Sequence, residues 1–135
     1  MAVSIPGIVQ AALYDRLTSH IAAAGQLWPV YDHIPAENPV SCVQIGLVAT
    51  QTDDILAAPY SLVVVSIICW STYNGQKEAH AMNAEVRAAL HERDLPLASG
   101  AAYHVVVDRQ FVDRDPSVEG YVYTGNTIVT IKVEH

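Results

Sequence analysis

At 135 residues the chain fits a single domain, residues 1–135, able to bury roughly two thirds of its unfolded surface without a disulfide or metal staple. Hydrophobic residues make up 51% and charged residues 16%, the opposite of the balance that keeps a chain disordered. Fourteen acids face seven scattered bases, for a net charge of -7. That excludes the basic stripe needed to displace counterions from nucleic acid, and equally a strong hold on an anionic membrane.

In chain order, residues 5–24 read as a helix. Val9, Leu13, Leu17 and Ile21 recur every four residues as one apolar stripe. Ser4 can cap its start, Pro6 suits its first turn, and Gly25 suits a left-handed stop. Residues 28–34 read as a short extended piece, followed by a loop bracketed by Pro35 and Pro39. From Cys42 to Ala49 the chain alternates, with Val43, Ile45 and Leu47 on one side and Gln44 and Gly46 on the other. Residues 50–59 read as a polar loop with an apolar tip, Ile55-Leu56. Residues 61–70 are rich in valine and isoleucine on both faces, which marks a strand covered on both sides. Asn74 can cap a second helix over residues 75–92, with Ala79, Met82, Val86, Ala89 and Leu90 as its buried stripe. Two further strands follow, 103–112 and 121–133, joined by the turn Arg114-Asp115-Pro116-Ser117. Tyr121, Tyr123, Val129, Ile131 and Val133 share a face of the last strand, and Gly125-Asn126 marks a bulge or bend.

This order predicts an α+β fold: an antiparallel sheet of about four strands with two helices packed on one face. Two helices cover only one face, yet residues 61–70 are apolar on both. Either the sheet folds over on itself or another subunit covers that face, and an oligomer is the more economical reading.

Candidate chemistry is sparse. Cys42 and Cys69 are far apart in apolar runs and read as buried free thiols. None of the six histidines has an HExxH or zinc-finger spacing. His20 and His91 fall near helix ends, where their charge is favourable. Asp32-His33 is an adjacent acid–imidazole pair, and sequence places no nucleophile beside it. The acids around Asp53-Asp54 and Asp113-Asp115-Glu119 lack an alternating calcium-loop pattern and suit turns or a charged contact. The glycines are isolated, so neither a phosphate loop nor a G-x-S-x-G elbow is present. The sequence therefore predicts no catalytic set, no cofactor and no metal site. No basic region precedes an apolar block at the N-terminus, and the run 62–70 is far too short to span a bilayer.

Several anchors occur in a telling order. Tyr31-Asp32-His33-Ile34-Pro35 precedes Pro39-Val40-Ser41-Cys42-Val43-Gln44-Ile45-Gly46. Then come Ile67-Ile68-Cys69-Trp70-Ser71, Gly75, Glu78-Ala79, Val86-Arg87-Ala88-Ala89-Leu90, Arg114-Asp115-Pro116 and Gly120-Tyr121. In this order the chain resembles the small tail-completion proteins of long-tailed phages and prophages, a family long catalogued as a domain of unknown function and found also in gene transfer agents. Ser41 stands where that family often has an aromatic residue, and the tip at residues 55–58 is more apolar than usual.

The resemblance implies a structural virion protein rather than an enzyme. It would be a tail terminator forming a ring, expected to be a hexamer, that caps the tail tube and joins it to the head-side connector. Its expected partners are further copies of itself, the tail tube protein and a neck protein. Its expected location is the tail or neck of a particle assembled in the bacterial cytoplasm. The expected contact residues lie in two loops: Asp53, Asp54, Ile55, Leu56 and Tyr60, and Asp113, Arg114, Asp115 and Glu119. The alternatives are another neck component, a head-closure or adaptor protein, or a small α+β ligand-binding or hydrolytic domain using Asp32-His33 or His104.

Overall fold

The computed structural model describes residues 5–32, 40–52, 60–93, 95, 101–114 and 120–134. Helix α1 (Ile5–Ala23) buries its four-residue stripe almost completely, with Val9, Leu13, Leu17 and Ile21 at most 3% exposed. Burial of such side chains contributes roughly 2 kcal/mol each. The helix stops as expected at Gly25, whose φ of 78° is left-handed. The amide of Gly25 donates to the Ala22 carbonyl and that of Gln26 to the Ile21 carbonyl, closing the last turn in a Schellman motif.

The strands are β1 (Val30–Tyr31), β2 (Cys42–Thr52), β3 (Tyr60–Ser71), β4 (Ala101–Arg114) and β5 (Tyr123–Glu134), with α2 (Lys77–Leu90) between β3 and β4. They form one sheet in the order β1-β2-β3-β5-β4. All neighbours are antiparallel except β1, which runs parallel to β2. The sheet is therefore mixed and five-stranded, where the sequence pattern predicts about four antiparallel strands. A two-residue strand carries no periodicity, and apolar alternation carries no information about pairing direction.

Both helices lie on one face. Beneath them β3 contributes Val63, Val65, Ile67 and Cys69, β5 contributes Val129, Ile131 and Val133, and the outer strands add Val43, Ile45, Val105 and Val107. The buried stripe of α2 is Ala79, Met82, Val86, Ala89 and Leu90, as expected, together with Asn83.

Other expectations shift. In β2 the register slips between Ile45 and Val48, so Val48 rather than Leu47 stands opposite Val65. A bulge of one residue reverses the alternation past it. The strand also runs on to Thr52, three residues into the expected loop. Asn74 does not cap α2. The helix begins at Lys77 after Gln76, with no side-chain cap. The reason is a clamp on Glu78, whose carboxylate accepts hydrogen bonds from Ser41 Oγ and, at 2.7 Å, from Ser71 Oγ. That ties the first turn to the ends of β2 and β3. No register shift interrupts the pairing of β5 with β3 at Gly125-Asn126. Tyr121 precedes β5 and packs not with Val129 but with Cys42 and Trp70 in a second, smaller cluster.

Candidate functional site

The face of the sheet turned away from the helices is the largest feature left to interpret. Alternation in β3 turns Leu62, Val64, Ser66 and Ile68 towards it, opposite Lys132, Thr130, Ile128 and Asn126 of β5. Val106, Arg109 and Phe111 extend it on β4. Most of these side chains are half-buried, and Phe111 is 39% exposed. The face is thus apolar mainly in β3, through Leu62, Val64 and Ile68, while β5 adds Ile128 among polar side chains. The Arg109 guanidinium sits 4.9 Å from the centroid of the Phe111 ring, and Thr130 hydrogen-bonds Asp108. The expectation that β3 is apolar on both sides holds. One side is closed by helices, and on the other no helix lies among the described residues.

One end of this face is tied together by side-chain contacts. The Trp70 and Tyr121 rings meet at 5.5 Å, tilted by 56°. Trp70 Nε1 donates to Gln44 Oε1 at 2.9 Å. The Tyr121 hydroxyl donates to the Val40 carbonyl at 3.0 Å, which leaves the Cys42 thiol to donate to the phenol oxygen at 3.7 Å. Burial, then the contact with Cys42, pushes the Tyr121 phenol up to about 12. Burial also raises the Cys42 and Cys69 thiols, so both stay protonated and unreactive near neutrality. Both cysteines are free and buried, as the sequence predicts.

The histidines that the structure places are bound up in the fold. His20 Nε2 lies 2.9 Å from Glu85 Oε2 and joins α1 to α2. His91 caps the end of α2, and its Nδ1 accepts the Val107 amide at 3.1 Å. His80 Nε2 lies 3.3 Å from Gln76 Oε1, one turn away. Among the described residues no three metal-ligating side chains converge. No helix of the structure is long and apolar enough to cross a membrane.

Of the predicted contact residues, Tyr60 opens β3 and Asp113 and Arg114 close β4. Asp113 stands opposite Thr124 and its carboxylate accepts the Arg114 amide at 2.9 Å. The strands reach further into both loops than alternation alone predicts. Asp53, Asp54, Ile55, Leu56, Asp115 and Glu119 lie outside the described residues, as does His33. Asp32 is described and exposed.

Sequence reading missed a polar knot under α2. Gln110 Nε2 donates to the Asn83 carbonyl at 2.7 Å and to Thr127 Oγ1 at 3.0 Å. Asn83 Nδ2 donates to the Phe111 carbonyl at 3.2 Å. The one available signal was Asn83 itself, a polar residue within the apolar stripe of α2.

Comparison with known proteins decides the family. The description "Tail completion protein gp17" matches residues 11–129, nearly the whole chain. The chain belongs to this tail-completion family. It is accordingly a structural tail component of a phage or phage-like particle, and it assembles with other tail or head proteins. The fold is similar to that of a chain in the virion of a native gene transfer agent particle, with a TM-score of 0.78 and 24% identity over 99% of this chain and 100% of that one. A second solved chain, 13% identical, has a TM-score of 0.53 over 96% of this chain and 94% of its own. No curated protein matches.

Proposed function

We propose that residues 1–135 form one domain that acts as a tail terminator: a subunit of a ring, six copies in our reading, that caps the tail tube and joins it to the head-side connector. The open face of the sheet carries this reading. Leu62, Val64, Ile68 and Ile128 make a half-buried apolar surface on the face opposite the fully buried one, and contiguous apolar surface of this kind marks an interface. A neighbouring copy covers it in the ring, where a head-to-tail contact closes on itself. The loops around residues 53–60 and 113–119 then meet the tube or the connector, with Asp53, Asp54, Ile55, Leu56, Tyr60, Asp113, Arg114, Asp115 and Glu119 as contacts.

Light scattering of the purified protein over a range of concentrations, with and without tail tubes, tests the reading. A discrete hexamer, alone or on the tubes, is expected. A monomer that ignores added tubes overturns it. Charge reversal at Asp53, Asp54, Asp113 and Asp115 is expected to impair docking on the tube or the connector. Particles that assemble normally with all four reversed remove these loops from the mechanism.

A further inference from the structure

α2 ends against β4, the strand at one edge of the sheet. Beside Val106, β4 offers the Val105 carbonyl and the Val107 amide, one acceptor and one donor of the kind an added strand would pair with. The end of α2 takes both. The Glu92 amide donates to the Val105 carbonyl at 2.8 Å, and the Val107 amide donates to His91 Nδ1 at 3.1 Å. An imidazole nitrogen thus stands where a strand would place a carbonyl. The backbone holds it there. His91 is extended, its own amide donates to the Arg87 carbonyl at 2.8 Å, and Glu92 follows in the left-handed region.

A carbonyl accepts at any pH, but an imidazole nitrogen accepts only while it carries no proton. Because Nδ1 accepts, the neutral imidazole carries its proton on Nε2, which lies 3.8 Å from Glu92 Oε1. A second proton has to go on Nδ1, where it meets the Val107 N–H. The surrounding charges do not alter that direction. The Glu92 carboxylate is 70% exposed, so its pull is weak. On β4, Asp108 hydrogen-bonds Thr130 and Arg109 lies over Phe111, both on the other face of the sheet. From α1, Arg16 reaches the last turn of α2 and donates to the Ala89 carbonyl at 3.1 Å. Arg87 and Arg93, before and after His91 in the chain, are exposed. The carbonyl end of a helix favours a charged imidazole. A charged imidazole, however, has no acceptor left for Val107.

We infer that His91 is an acid-released latch between α2 and the edge of the sheet. Neutral, it holds the Val107 amide and closes β4 beside Val106. Protonated, it lets that amide go. The latch is therefore complete at alkaline pH and is lost as the pH falls through the titration of the imidazole. It belongs to one chain and does not depend on assembly into a ring of subunits.

The test is NMR of the nitrogen-15-labelled protein from pH 8 to pH 5.5, a range in which imidazoles titrate. It follows the His91 imidazole nitrogens and the protection of backbone amides against hydrogen exchange, corrected for the intrinsic effect of pH. At pH 8 the imidazole proton should be on Nε2. As the second proton arrives, Val107 protection should fall about tenfold, the loss expected for one hydrogen bond, while Val129 and Ile131 in β5 keep theirs. His91→Asn, whose amide oxygen accepts at every pH, should hold Val107 protection constant across the series. A proton on Nδ1 at pH 8, or an imidazole that stays neutral down to pH 5.5, overturns the latch. So does Val107 protection that ignores the titration, falls equally in β5, or falls to the same extent in His91→Asn.

Discussion

At Gly125 α2 and the sheet approach closely. A methyl group there would stand 2.5 Å from Asn83 Oδ1 and 2.9 Å from the Ala79 carbonyl oxygen. The amide could turn aside, but the helix backbone could not. Gly125→Ala should therefore cost about 2 kcal/mol, read as a lower urea midpoint. Adding Asn83→Ala should not restore it, because the Ala79 carbonyl remains in the way. Tyr121 makes a prediction of a different kind. Its folded-state phenol titrates at about 12, above its ordinary value of 10.0. The fold favours the neutral phenol, so this contribution is complete below pH 10 and is lost as pH rises towards 12. Tyr121→Phe should flatten that part of the alkaline loss in a pH series of denaturation curves. The same change should cost about 1 kcal/mol at pH 7, through the missing bond to the Val40 carbonyl.

At the scale of elements, the end of α2 guards an exposed strand. β4 lies at one edge of the sheet, where open backbone groups invite pairing with another chain. The Glu92 amide, at a left-handed φ of 55°, donates to the Val105 carbonyl at 2.8 Å. Two residues on, the Val107 amide donates to His91 Nδ1, and the Phe111 carbonyl accepts from Asn83. Three side-facing backbone groups of β4 are thus used up by α2. His91→Leu would leave the Val107 amide without its acceptor. It should destabilise the fold by about 2 kcal/mol and speed hydrogen exchange at Val107 before exchange at central β5 amides changes. By contrast, the partly exposed His20–Glu85 pair between the helices should be worth under about 1 kcal/mol, and His20→Ala should shift the melting point little.

For the whole molecule, the question is what the bare face of the sheet is for. Val64 and Ile128 lie near each other at its middle, half-buried and, among the described residues, without a helix over them. Val64→Lys with Ile128→Lys should keep the far-UV circular dichroism of the parent while reducing the mass seen by light scattering to that of a monomer. An unchanged mass would move the self-association surface off this face.

Local pattern alone determined much of this protein. The four-residue stripe of α1, its stop at Gly25, the buried stripe of α2, the two-faced β3 and the two free thiols are all legible. Each depends on short-range periodicity or on a single residue's conformational freedom. The anchors in order also carried the family. Only the tertiary structure decided the rest. It showed that β1 pairs in parallel, that β5 inserts between β3 and β4, and that a bulge resets β2 after Ile45. It also made Glu78, not Asn74, the residue that sets where α2 begins. These features join residues far apart in the chain, and their energies arise only when the two sides meet.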